Sequence, residues 1–144
     1  MIDYLDEQLV QLLSKDARQT SRELARQLSV SPATVRRRLK KLIATGALRF
    51  LAITDPKSMG FHVTAISALS VLHDKGKPVL QILAERPEVK WVSTTTGRFD
   101  VLALVQFRST EELAEFLEKE LPRVEGIRDS ETFICLHMEK GNYM

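Results

Sequence analysis

Two stretches of the 144-residue sequence gather side chains whose types and spacing could do chemistry. In the first, five of six consecutive positions are cationic: Arg36, Arg37, Arg38, Lys40 and Lys41. Guanidinium and ammonium groups at that density suit phosphate. A solvated helix face ordinarily mixes both signs, because opposite charges at i,i+4 support it, yet residues 31–46 contain no carboxylate. In the second stretch Thr94, Thr95 and Thr96 precede Gly97, with Asp100 three residues on. Two readings stay open there. Gly97 can supply a positive φ in a turn that Asp100 hydrogen-bonds, the threonines simply suiting a strand. Alternatively Asp100 pairs with an ammonium group, while the threonine hydroxyls and the backbone near Gly97 hold a carboxylate.

Other reactive residue types form no recognisable constellation. His62, His73 and His137 lack the HxH or HxxxH spacing of a metal site, and the single Cys135 has no CxxC partner. Cys135 lies in an alternating apolar segment and reads as a small buried hydrophobe. There is no glycine-rich phosphate loop and no nucleophile with a base at a known spacing, so neither a cofactor nor a metal is expected, and no catalytic residue. No apolar run approaches the roughly 18 residues of a membrane span. The acidic start MIDYLDEQ is unlike a signal peptide, so a cytoplasmic protein is expected.

Local signals say which elements hold these groups. Ser31 is a good N-cap, Pro32 fits the first helical position and Gly46 fits a left-handed stop. Between them Val35, Leu39, Leu42 and Ile43 form one apolar stripe at helical spacing, with Ala33, Arg37, Lys41 and Ala44 opposite and Arg36 and Arg38 on the flanks. Upstream, Asp3 or Asp6 caps a helix with Leu5, Leu9, Leu12 and Leu13 buried, ending near Lys15. Thr20 and Glu23 make a capping box for a second helix carrying Leu24, Ala25 and Leu28. Two short helices joined by a tight turn at Ser29 and Val30, braced by the first, read as a helix-turn-helix. The basic helix then becomes a recognition helix for the major groove of double-stranded DNA, with Ser31, Ala33, Thr34, Arg36, Arg37, Arg38, Lys40 and Lys41 as contacts. Thr34 and Arg37 are placed to reach base edges. The charge distribution agrees: residues 1–50 carry a net +5 and residues 51–144 a net −3.

Residues 48–53 are apolar and read as one or two strands at the place of a wing. The turn chemistry of residues 55–60 marks the boundary, giving a DNA-binding domain over 1–53, a linker over 54–60 and a second domain over 61–144. That second domain reads strand (62–73), helix (from Gly76 to about Arg86), strand (89–96), strand (101–107), helix (capped by Ser109 and stopped by Pro122) and strand (130–138). A βαββαβ order is the ferredoxin-like split βαβ, so the fold class is α+β. One sheet face has no helix to cover it, and dimerisation is the simplest way to bury it. Two recognition helices would then lie about 34–36 Å apart, or a multiple of that, facing a pseudo-palindrome.

The order of these pieces resembles the Lrp/AsnC family of feast/famine transcriptional regulators over nearly the whole chain. The resemblance rests on Leu5 and Asp6 with Leu9, Val10, Leu12 and Leu13, then Asp16 to Arg18. It continues through Leu24 and Ala25 to Ser31 and Pro32, with Val35, Arg37, Arg38, Leu42 and Gly46, and ends with Gly97 to Asp100 before an apolar strand. Ala17 stands where the family usually has a glycine. The resemblance implies a homodimer, often assembled into octamers, that binds promoter DNA and responds to an amino acid or related small molecule. It also implies that Gly97 and Asp100 border the effector pocket, which makes Thr94, Thr95 and Thr96 candidate effector contacts. Two other classes compete. Sirohaem decarboxylases resemble the same two-part architecture, although an enzyme has no reason to keep the cationic face. A ligand-independent DNA-architectural protein is the other.

Overall fold

The computed structural model describes residues 2–139, so residues 140–144 of the expected second domain lie outside the described residues. The chain divides into two compact units, Met1–Ala52 and Ile53–Met144.

The first unit is three helices, α1 (Tyr4–Lys15), α2 (Ser21–Leu28) and α3 (Pro32–Ala44). Each starts at a side-chain cap. Asp3 and Asp6 exchange backbone-to-carboxylate bonds at the head of α1, the Thr20 hydroxyl accepts the Glu23 N–H while the Glu23 carboxylate accepts the Thr20 N–H for α2, and Ser31 accepts the Thr34 N–H for α3. Caps matter here because helices of 8 to 13 residues are marginal alone. The turn between α2 and α3 is closed by Ser29 in the left-handed conformation (φ 54°), and α3 ends just before Gly46 (φ 72°). Leu9, Leu13, Leu24, Ala25 and Val35 form the core, with Leu12, Leu28, Val30, Leu39 and Leu48 against it. Ile43, expected on the apolar stripe, is half exposed at 49%. It lies on the far shoulder of the stripe from Val35, beyond the reach of the small core. Residues 48–53 form no strand among the described residues. A strand needs a partner for its N–H and C=O groups, and among its described residues this unit has no other strand to supply one.

The second unit runs β1 (Val63–Val71), α4 (Gly76–Ala84), β2 (Val89–Thr94), β3 (Val101–Phe107), α5 (Thr110–Glu115) and β4 (Ile127–Ile134). The sheet order is β2-β3-β1-β4 with every neighbouring pair antiparallel, the ferredoxin-like arrangement. Val63, Ala65, Leu69 and Val71 of β1 and Val101, Ala103, Val105 and Phe107 of β3 meet Val79 and Leu83 of α4 and Leu113 and Phe116 of α5 in one core. Both helices therefore cover the same face. Strand pairing puts Ile66, Leu104, Trp91 and Phe133 in a row across the other face, and Ile66, Trp91 and Phe133 are exposed.

Two elements differ from expectation. The last strand, Ile127–Ile134, starts three residues and ends four residues earlier than expected. Gly126 (φ 102°) turns the chain so that Ile127 pairs with Val71, and β1 has no backbone left to pair beyond the bond from Cys135 N–H to Thr64 C=O. The helix expected to run to Pro122 keeps α-helical form only to Glu115, then widens into a π turn (Phe116–Glu120) and a 3₁₀ turn (Leu121–Arg123). The Leu121 N–H reaches the Phe116 carbonyl, an i to i+5 bond that leaves both side chains facing the core.

Candidate nucleic-acid interface and effector turn

The exposed arc of α3 is built by exclusion. Val35 and Leu42 are buried and Leu39 is partly buried, which fixes the roll of the helix. Ser31, Ala33, Arg36, Arg37, Lys40 and Lys41 are then left in solvent. Among the described residues Arg36, Arg37, Lys40 and Lys41 enter no ion pair. Ser31 and Thr34 are partly used by the helix itself: the Ser31 hydroxyl caps the Thr34 N–H at 3.1 Å and lies 2.9 Å from the Thr34 hydroxyl. Ala33 leaves the arc narrow near its N-terminus, the end that enters the groove in a helix-turn-helix.

Arg38 departs from the expected group of free cations. Its Nη1 bonds the Asp3 carboxylate and lies 3.3 Å from both oxygens of Asp6. Asp6 is 1% exposed, one of the few buried polar groups among the described residues. The Asp6 N–H, and then Arg38, hold the Asp3 carboxyl below its ordinary range, while the bond to Asp3 pushes the Arg38 guanidinium further up. The α3 sequence contains no acid, so the opposing charges come from α1. Asp6 shares a helical face with Leu9 and Leu13, and a carboxylate in an apolar stripe calls for a cation. That was the available signal.

The second candidate cluster lies where β2 ends and β3 begins. Gly97 has φ 104°, as a tight turn requires. The Thr95 N–H donates to Asp100 C=O at 2.9 Å and the Thr95 hydroxyl to Phe99 C=O at 2.9 Å. The Asp100 carboxylate accepts the Val71 N–H at 2.7 Å. Thr95, Thr96, Arg98, Phe99 and Leu102 line an open depression beside the turn. Thr94, Gly97 and Asp100 border the turn without lining that depression. Arg98, absent from the sequence-based candidates, supplies its cationic group. Its guanidinium pairs with Glu131 at 2.9 Å and lies 4.9 Å from the Phe99 ring centroid. The cross-strand pairing that brings Glu131 near is invisible without the register.

A helix-turn-helix with an unopposed basic arc, joined to a ferredoxin-like unit, defines a DNA-binding transcriptional regulator with a small-molecule-binding domain. Residues 2–49 match the winged helix-turn-helix DNA-binding family and residues 64–143 match the Lrp/AsnC ligand binding domain. The chain belongs to the Lrp/AsnC family. It is 37% identical to a helix-turn-helix-type transcriptional regulator of Pyrococcus furiosus, with 99% of this chain and 97% of that one aligned. It is 34% identical to the transcriptional regulator Ptr1 of Methanocaldococcus jannaschii, covering 100% and 99%. Among solved structures, AsnC of E. coli superposes with a TM-score of 0.89 at 27% identity, over 100% of this chain and 98% of that one. A transcriptional regulator of Neisseria meningitidis, solved as an L-Met complex, superposes with a TM-score of 0.88 at 24% identity, over 99% and 94%. Among the described residues no helix is long and apolar enough to cross a membrane.

Proposed function

We propose that the chain acts as a homodimer that reads a pseudo-palindromic operator with α3 and adjusts its binding to an amino acid held beside the Thr94–Asp100 turn. The observation that carries the DNA reading is the solvent-exposed arc of Arg36, Arg37, Lys40 and Lys41, four cations that enter no ion pair among the described residues. Lys40 and Lys41 neutralise phosphates and set register. Arg37, nearer the small-residued end with Ala33 and Thr34, reaches base edges. The Ile66, Trp91, Leu104 and Phe133 row supports dimerisation through the open sheet face, with higher assembly such as an octamer built from those dimers.

For the effector, the L-Met complex of the Neisseria regulator motivates a zwitterion as ligand. Arg98 and the Thr96 hydroxyl can bind a carboxylate, while the Thr95 hydroxyl, which donates to Phe99 C=O, shapes the turn beside them; Asp100 offers a counter-charge to the ammonium. Gly97 keeps the turn backbone open to close approach, and Thr94 ends β2 next to it. A ligand changes DNA affinity only by preferring one state of the protein over another.

The test is salt-dependent DNA binding combined with calorimetry. Log affinity should fall with log salt by about 0.9 per phosphate neutralised. The Lys40→Ala/Lys41→Ala double variant should bind every sequence more weakly with a shallower slope. Arg37→Ala should lose discrimination between operator and random DNA. Titration of the wild type against a panel of amino acids identifies the effector. An unchanged DNA affinity of the double variant at physiological salt would overturn the DNA reading of this arc.

A further inference from the structure

The Arg38–Asp3–Asp6 cluster is not explained by phosphate binding, although Arg38 stands in the middle of the basic run. We infer that Arg38 is a positioning residue: Asp3 and Asp6 hold it away from DNA and use it to fix the roll of α3 against α1. The inference rests on the proposal that α3 is the DNA-reading helix.

Three observations converge. First, the partners. Asp6 is 1% exposed and lies within 3.3 Å of the Arg38 Nη1 through both oxygens, while Asp3 engages the same nitrogen. For a phosphate to recruit Arg38, the buried Asp6 would be left without its cation, which is the costly way to break such a pair. Second, the placement. At 100° per residue Arg38 lies about 60° from Val35, adjacent to the buried stripe, whereas Arg37 and Lys40 point to the opposite side. The Arg38 Nε is inaccessible and has no hydrogen-bond partner among the described residues, which places the stem, and not only the charged tip, inside the helix junction. Third, the lock is shared with a cap. Asp3 and Asp6 also form the capping box of α1, through the Asp6 N–H to Asp3 at 3.1 Å and the Asp3 N–H to Asp6 at 3.2 Å. The first turn of α1 and the middle of α3 are thus tied at one point. Rolling α3 on its apolar stripe would break this polar tie, while apolar contacts alone are non-directional. The roll decides how Arg37, with Thr34 beside it, meets base edges, so the tie acts on sequence discrimination.

The experiment uses the full chain and two DNA duplexes: a duplex that the wild-type protein itself selects from a randomised pool, taken as the operator, and a random duplex of the same composition in scrambled order. Arg38→Met keeps the stem and removes the charge. Its salt slope on random DNA should equal that of the wild type, because no phosphate contact is lost, while Lys40→Ala/Lys41→Ala flattens the slope by about 0.9 per contact removed. Its ratio of operator to random affinity should fall by about tenfold or more. A slope reduced by about 0.9 would make Arg38 an ordinary phosphate contact and overturn the inference. An unchanged slope with an unchanged affinity ratio would make the cluster purely stabilising and overturn it too. Should Arg38→Met fail to fold, the wild type supplies the answer through its arginine Nε–H resonances. That of Arg38 should keep its position and its slow exchange when operator DNA is added, while those of Arg36 and Arg37 move. Movement of the Arg38 resonance with the others would refute the assignment. Failure of the underlying DNA reading is separately visible, since the Lys40/Lys41 variant would then bind DNA like the wild type.

Discussion

The Asp100 carboxylate accepts the backbone N–H of Val71 at 2.7 Å, and the Asp100 N–H donates to Leu69 C=O at 2.9 Å. One residue of the turn before β3 therefore staples that turn to the end of β1, at the step between Ser70 and Val71 where the pairing with β4 slips. The β1–β3 ladder ends at the Leu69–Val101 pair, so the Val71 N–H has no strand partner on that side, and a side-chain acceptor meets that need.

The two roles of Asp100 separate by substitution. Asp100→Ala leaves the Val71 N–H without its acceptor and should lower stability by about 1–3 kcal/mol. Asp100→Asn keeps an acceptor oxygen and removes only the charge, so it should stay within about 1 kcal/mol of the wild type. Urea denaturation measures both. If the carboxylate also pairs with an effector ammonium, the Asn variant should fold normally and yet fail to bind the amino acid that the wild type binds in calorimetry. Wild-type effector affinity in Asp100→Asn would leave Asp100 with its structural role only.

Gly126 offers a second stability test. Its φ is 102°, and an added Cβ would lie 2.5 Å from the Lys75 Cβ, the fixed base of a side chain at the head of α4. Gly97 has nearly the same φ, 104°, with nothing within 4 Å of the added atom. Gly97→Ala therefore carries backbone strain alone, on the order of 1 kcal/mol. Gly126→Ala carries that strain and a clash, and should cost clearly more. Thermal unfolding of the two variants should rank them in that order, and equal midpoints would mean that the α4 head yields freely.

How much of this was legible follows the range of each interaction. The caps at Asp3, Thr20, Ser31 and Ser109 are local, three residues from cap to partner, and the sequence displays them openly. The βαββαβ order is legible because each strand and helix has its own periodicity. Strand register is not local, so the ends of β4 and the Arg98–Glu131 pair were out of reach. Arg38 is the instructive case. Read along α3 it is one cation among five. Only with Asp6 taken as a carboxylate on the apolar face of α1 does its role become readable. The apolar residues 48–53 have strand-like composition but no strand in this chain, because composition records a preference and pairing needs a partner.

The open sheet face gives an assembly test. Leu104 pairs with Ile66 on one side and Trp91 on the other, at the middle of the uncovered row. Leu104→Glu should leave the helix-covered core intact, because the side chain points away from it. It should convert a dimer into a monomer at micromolar concentration by light scattering, since an unpaired charge at an apolar interface is costly. An unaffected dimer would place the interface elsewhere.

Acid should weaken the three-helix unit in a defined direction. Asp3 titrates below its ordinary value of 3.8, held down first by the Asp6 N–H and then by Arg38. Glu23 titrates below 4.5 because it accepts the N–H and the hydroxyl of Thr20. A carboxyl whose folded pKa is depressed contributes stability that is fully present above its unfolded pKa and is lost as pH falls through the folded value. Both groups therefore stabilise at neutral pH, and the loss begins below about pH 4.5 and deepens below 3.8. The variant Asp3→Asn/Glu23→Gln removes both titrations while keeping an amide acceptor at each cap. Its unfolding free energy, followed through far-UV helix signal in urea, should be lower than that of the wild type at pH 7 and should change less between pH 5 and pH 3. Salt should blunt the difference only in part. The backbone bonds act at contact distance, whereas the Coulombic share from Arg38 at the exposed Asp3 is screened. A variant whose stability falls with acid as steeply as the wild type's would show that other carboxyls govern the acid transition.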